Sequence, residues 1–220
     1  MPCIHNQAIF GALGNLNLFL MNNRLTQFSL PVLFCFLSFN LFAQNILFFD
    51  DFSVGNIDDW TVYSGTTDLW NIDQSSAAGG SAPELVFSVI NTNIGESRLV
   101  SPIIYTSGYT TLYLSFPQYF YPLSSPGAII SVETTSDGGA TWNTVWQLNG
   151  GDLTDAYTAF EVITLTEDVG TDNFQFSMKY ESAQSTLLVN WFIDDIKISD
   201  VPILFDALPV NILGTSSPFY

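Results

Sequence analysis

Residues 131–146 read SVETTSDGGATWNTVW. The centre, Ser136-Asp137-Gly138-Gly139, is turn chemistry between two runs rich in Val, Thr and Trp. An Asp carboxylate bonds nearby backbone amides, and paired glycines supply backbone angles closed to other residues. Trp142 then packs back over the turn. The stretch therefore predicts a β-hairpin clasped by Asp137, Gly138, Gly139 and Trp142, a complete structural account that needs no substrate.

Strand character spreads outward from there. ILFFDDF, WTVYS, DLWNID, ELVFSVI, RLVSPII, TLYLSF, AIISVETT, TVWQL, AFEVITL, FQFSMKY and LLVNWFIDDIKI are short apolar-polar runs divided by Gly, Pro, Asn, Asp and Ser. TLYLSF shows the period of two, with Leu112, Leu114 and Phe116 on one face and Thr111, Tyr113 and Ser115 on the other. No amphipathic helical pattern of useful length interrupts them. About eleven short antiparallel strands in one unit predict an all-β fold, a jelly-roll β-sandwich. The five tryptophans, Trp60, Trp70, Trp142, Trp146 and Trp191, are read mainly as core.

The amino-terminal sequence predicts export. Residues 21–43 carry one cation, Arg24, then an apolar run from Phe28 to Phe42 and Ala43, the layout of a secretory signal peptide. The run is shorter than the roughly 20 residues a membrane-spanning helix needs, so no integral membrane segment is expected in the mature chain. Residues 1–20 are read as an overlong start to the reading frame. The domain is expected over 44–200. Residues 201–220, with two prolines before Asn211 and no sustained alternation, are read as a linker or the start of a truncated carboxy-terminal region.

Cleavage after Ala43 removes Cys3, Cys35 and His5, the chain's two cysteines and single histidine. It leaves three cations, Arg98, Lys179 and Lys197, against 21 carboxylates. Nucleic acid is excluded as a partner, because phosphate binding needs clustered Lys and Arg. Without His or Cys there is no Ser-His-Asp triad, thiol nucleophile or ordinary zinc site. The acidity is read chiefly as solvated surface, with a hard-cation site such as calcium as the sharper alternative.

The T-x-D-G-G-x-T-W pattern is also the Asp-box of sialidase propellers. A sialidase needs several arginines around its substrate carboxylate, and Arg98 is the only one left. A propeller also needs repeated blades, and no repeat is visible. A carboxylate pair acting as a glycosidase is kept as the weakest functional alternative.

Five blocks together resemble a known family: WNIDQSSAAGGSAPELVFS (70–88), SRLVSPIIYTSGYTTLYLSF (97–116), SVETTSDGGATWNTVW (131–146), NFQFSMKY (173–180) and NWFIDDIKISD (190–200). Their content and order resemble the choice-of-anchor J domain, a jelly-roll module of secreted bacterial proteins related to the cleaved adhesin and MAM domains. ALPVNIL at 207–213 resembles the linker that often follows such a domain. The resemblance implies a secreted or cell-surface, non-catalytic adhesion module for glycan or protein ligands, commonly with calcium. Structural-spacer service beside an enzyme or sorting domain is the alternative.

Carried over by block, the resemblance implies metal ligands at Asp51, Glu84 and Asp194 or Asp195. Alternation along a strand allows only one of Asp194 and Asp195 to face the site. The family's Asp-Phe-Glu reads Asp51-Phe52-Ser53 here, one carboxylate fewer. Separately, Tyr119, Phe120 and Tyr121 beside two prolines form an aromatic run that is the candidate ligand-stacking surface.

Overall fold

The run that begins TLYLSF becomes the longest strand, and it organises one of two sheets. The computed structural model describes residues 44–64, 69–92, 95–121, 127–153, 155–182 and 186–203. The signal peptide read at 21–43, the upstream residues 1–20 and the tail beyond residue 203 lie outside the described residues.

Among the described residues the strands are β1 (Ile46–Asp50), β2 (Thr61–Ser64), β3 (Trp70–Asp73), β4 (Glu84–Thr92), β5 (Gly95–Val100), β6 (Leu112–Tyr121), β7 (Ala128–Thr135), β8 (Asn143–Asn149), β9 (Tyr157–Leu165), β10 (Gln175–Ser182), β11 (Thr186–Ile193) and β12 (Ile196–Ser199). One short 3-10 turn, Gly150–Asp152, follows β8. All pairings between strands are antiparallel. One sheet has seven strands in the order β1-β12-β6-β11-β4-β3, with β9 on the far edge of β6; the other runs β2-β5-β10-β7-β8.

The sandwich is filled from the inner faces. β6 contributes Leu112, Leu114, Phe116 and Phe120, all fully buried. The opposite sheet answers with Leu99, Ile130, Val132, Phe176, Met178 and Tyr180. Phe87 stacks on Tyr180 across the gap, with centroids 4.7 Å apart. Phe48 and Trp60 meet Phe176 edge-on at 5.6 and 5.5 Å. Each such side chain is worth roughly 1.5–3 kcal/mol on leaving water. Trp60, Trp70 and Trp191 are buried as expected, whereas Trp142 and Trp146 are only half-buried.

The run LLVNWFIDDIKI is not one strand. It splits at Asp194-Asp195, where Asp195 adopts φ 45°, a left-handed backbone that a strand cannot continue through. β11 and β12 nevertheless occupy one lane beside β6, end to end. β4 then flanks β11 and β1 flanks β12, so the ends of four strands converge on the break.

Pro117 explains how β6 passes this point. Its carbonyl accepts the Asp194 amide at 3.3 Å, and a residue's N–H and C=O face the same antiparallel neighbour. The missing proline N–H is therefore aimed at the break, where no ladder partner waits.

Candidate functional site

The acidic residues singled out in the sequence gather at the break. Asp194 is 1% exposed. Its Oδ1 accepts the Asp195 amide at 2.8 Å, and among the described residues no N–H or O–H is directed at Oδ2. A β-carbon on Gly80, which has φ 92°, would stand 2.6 Å from Asp194 Oδ2 and 3.1 Å from Asp195 Oδ2. Both carboxylates thus flank the Gly80 loop. This corrects the expectation that only one could face the site, because alternation ends where the strand is broken. Burial pushes the Asp194 carboxyl up to about 7; the charges of Asp195, Glu84 and Asp51 add to the rise, against the opposing Asp195 amide bond.

Glu84 and Asp51 are placed differently. Glu84 is fully buried, yet its oxygens accept from Ser75 Oγ and from the amides of Ala77 (2.6 Å) and Ala78 (2.8 Å). It clasps the 75–80 loop over the sheet. Asp51 accepts the Ser53 amide at 3.0 Å, and the Ser53 hydroxyl and amide hold its carboxyl below the ordinary value. The neighbouring Asp50 was not singled out in the sequence: it accepts the Phe52 amide and the Trp60 indole N–H, at 2.9 and 2.8 Å.

For a metal the fit is partial. The donors are hard oxygens, as calcium prefers, and Gly80 leaves room beside two carboxylates. Among the described residues, however, no three His, Cys, Asp or Glu side chains are grouped to hold an ion together. Asp194, through Oδ2, and Asp195 are the carboxylates beside Gly80, and backbone carbonyls would have to complete the shell.

The aromatic run divides by face. Phe120 is fully buried in the core, which corrects its reading as a ligand-stacking residue: β6 continues through it with inward parity. Tyr119 and Tyr121 are half-buried on the outer face, and Tyr119 leans on Phe192 at 6.0 Å between centroids.

β7 and β8 meet in a hairpin whose turn Asp137 holds by side-chain bonds. Asp137 Oδ1 accepts the Thr141 amide at 3.0 Å and the Thr135 hydroxyl at 2.8 Å, while Oδ2 accepts the Thr141 hydroxyl at 2.7 Å. These bonds, those of Thr141 foremost, lower the Asp137 carboxyl to about 2. Gly138 and Gly139 take φ 75° and 86°, and a β-carbon on Gly139 would come within 3.2 Å of the Trp142 ring.

That hairpin does more than turn the chain. It lays Trp142 over Arg98, the guanidinium carbon 4.3 Å from the ring centroid. Arg98 is itself 7% exposed. Its Nη1 pairs with Glu133 Oε2 at 2.7 Å and its Nη2 with Glu96 Oε1 at 3.2 Å. Lys179, beside Arg98 in β10, pairs with Glu96, Glu133 and Glu181 at 3.6, 3.3 and 2.9 Å. Burial lowers its pKa, but the Glu181 bond and the three carboxylate charges raise it on balance. Two of the three expected mature cations are thus spent on one sheet face.

The result is a recess of about 260 Å³ on the outer face of the five-stranded sheet, lined by Thr61, Tyr63, Glu96, Arg98, Trp142 and Gln175 among others. Tyr63 is 61% exposed and sits opposite Arg98 in the β2–β5 register. Sequence reasoning missed this recess because its walls come from four distant segments. The only local signal was the polar-aromatic face of 61–63.

Among the described residues, the Glu96 and Glu133 carboxylates both engage Arg98 and Lys179. Among the described residues no helix is long and apolar enough to cross a membrane.

No protein-family model and no curated protein matches the sequence. Solved structures do match. The K1 cleaved adhesin domain of Lys-gingipain from Porphyromonas gingivalis W83 aligns with TM-score 0.52 at 14% identity, over 69% of this chain and 96% of that one. The K3 cleaved adhesin domain of the same protein aligns with TM-score 0.51 at 16% identity, over 71% and 99%. A structure of carbohydrate-binding modules of the β-sandwich superfamily aligns with TM-score 0.50 at 16% identity, over 67% of this chain and 60% of that one. At such identity the likeness is one of fold: this chain shares the jelly-roll β-sandwich of cleaved adhesin domains and carbohydrate-binding modules.

Proposed function

We propose that this chain is a non-catalytic binding module, exported to the cell surface or beyond, with a glycan or a surface protein as its ligand. The observation that carries the reading is the recess on the five-stranded sheet. It is walled by aromatic side chains and floored by a network in which Arg98 and Lys179 are both paired with carboxylates, and among the described residues it shows no free acid-base pair. Ligand sites are concave, with a few fixed polar groups among apolar walls. The fold shared with adhesin and carbohydrate-binding domains supports a binding role, although fold alone never specifies activity. The five-block resemblance to the choice-of-anchor J domain supports the same assignment.

Calcium belongs to this proposal as a structural ion at the β11–β12 break, held by Asp194 and Asp195. It would offset the charge that the two carboxylates concentrate beside Gly80. The ion would join the ends of β11, β12 and the loop before β4.

The test is retention. The full chain is applied to immobilised glycans and surface-protein preparations, with release of reducing ends monitored in parallel. Retention without turnover supports the reading. Steady release of sugar ends would replace it with a carboxylate-pair hydrolase.

A further inference from the structure

We propose that the recess between Tyr63 and Trp142 is a saccharide subsite for a neutral, hydroxyl-rich pyranose unit, and that it does not take acidic sugars. This rests on the binding-module reading above and names its ligand class and its place.

The argument begins with what Trp142 is not free to do. One side of its indole carries the Arg98 guanidinium, and Gly139 lies against the ring closely enough that a β-carbon would meet it. It is a fixed wall rather than an open stacking face. Tyr63 is different: the ring stands on an edge strand of the sheet, 61% exposed, directly across the ladder from Arg98. An exposed phenol beside a recess offers an apolar face and a polar tip together, which suits the C–H face of a pyranose.

The polar groups select hydroxyls. Gln175 donates its Nε2 amide to the Ser101 carbonyl at 2.8 Å. That bond fixes the side chain, and among the described residues its Oε1 receives no donor. Glu96 is half-exposed at the rim, and Thr61 adds a hydroxyl that both donates and accepts. These are acceptors in excess, matched to ligand O–H donors.

The charges exclude acids. Arg98 and Lys179 are the cations within reach, and both are already committed to Glu96, Glu133 and Glu181. Two cations against three carboxylates leave the local field negative. A ligand carboxylate would have to displace a protein carboxylate from Arg98, in a chain of net charge −17 that already repels anions. A volume of about 260 Å³ lies just under the usual small-ligand range of about 300–1,000 Å³, which fits one ring of a longer polymer.

The experiment titrates the full chain with four soluble neutral polysaccharides, a mixed-linkage glucan, a xylan, a mannan and a galactan, and with polygalacturonate. Binding is read by calorimetry and by tryptophan fluorescence, since Trp142 walls the recess. We expect at least one neutral polymer to bind and polygalacturonate not to bind. Tyr63→Ala should weaken that binding about tenfold, and Tyr63→Phe should retain most of it. Preference for polygalacturonate overturns the ligand class. Loss in Tyr121→Ala but not in Tyr63→Ala overturns the place while leaving the module reading intact. No binding to any saccharide overturns this inference, and the module reading falls with it only if surface-protein preparations are not retained either.

Discussion

Glu133 Oε2 lies 2.7 Å from Arg98 Nη1 with both side chains more than nine-tenths buried, and Trp142 covers the guanidinium from above. Leaving a buried charge uncompensated costs about 3–5 kcal/mol; without Arg98, Glu133 would keep Lys179 at 3.3 Å, which places the loss at the low end of that range. Arg98→Ala should therefore cost about 3 kcal/mol in urea unfolding. Glu96→Ala, whose carboxylate is half-exposed, should cost under about 1 kcal/mol. Equal losses would mean that the Glu133 pair is not the anchor of this face.

The hairpin glycines separate backbone strain from crowding. Both have positive φ, but nothing lies within 4 Å of a β-carbon at Gly138, while the Trp142 ring lies 3.2 Å from one at Gly139. Gly138→Ala should cost about 1 kcal/mol, the strain alone. Gly139→Ala should cost more and should also change Trp142 fluorescence, which Gly138→Ala leaves alone.

Acid should loosen the same hairpin late. The Asp137 carboxyl is depressed from 3.8 to about 2 by the Thr141 and Thr135 bonds. A lowered folded-state value means the contribution is complete above about pH 4 and is lost as pH falls through 2. Carboxyl NMR titration should give Asp137 a midpoint near 2. A midpoint near 4 would show that the clasp bonds do not form in solution.

Calcium should raise the melting temperature, by several degrees at about a hundred times its dissociation constant, where binding adds roughly 2.7 kcal/mol. Asp194→Asn should abolish the rise. In chelator at pH 8 the same variant should melt higher than the parent, because it removes a charge that burial disfavours. A parent that ignores calcium would remove the ion from the proposed function.

Phe120 and Tyr121 are neighbours with opposite fates. Phe120→Ala should cost about 3–5 kcal/mol as a core cavity, and Tyr121→Ala under about 1 kcal/mol by thermal melt.

That contrast shows what sequence could convey. Alternation in 111–116 located β6 and its inward face, and extending its parity through Pro117 would have buried Phe120. The proline hid this, since a proline in a run argues against a central strand. Only the broken lane at Asp194 makes it tolerable. The hairpin was legible because its chemistry is local: Asp137, two glycines and Trp142 within six residues. The left-handed Asp195 was not, since an Asp-Asp pair in an apolar run carries no turn signal. The recess was hidden for another reason. Tyr63, Arg98, Trp142 and Gln175 are joined only by strand register and by a hairpin folding over a neighbouring strand.

The ends of the described domain are tied to each other. The Asn45 amide donates to Asp200 Oδ1 at 2.9 Å, and the Asp200 amide donates to the Asn45 carbonyl at 3.1 Å. β1 starts where β12 finishes, with Ile46 opposite Ser199. A pull on the two ends would therefore load the β1–β12 ladder one rung at a time, like a zipper, instead of shearing all its bonds together. Under tension the domain would pay out β1 first, beside the Asp194–Asp195 break, while the β2–β5–β10 face that bears Tyr63 and Trp142 kept its ladder.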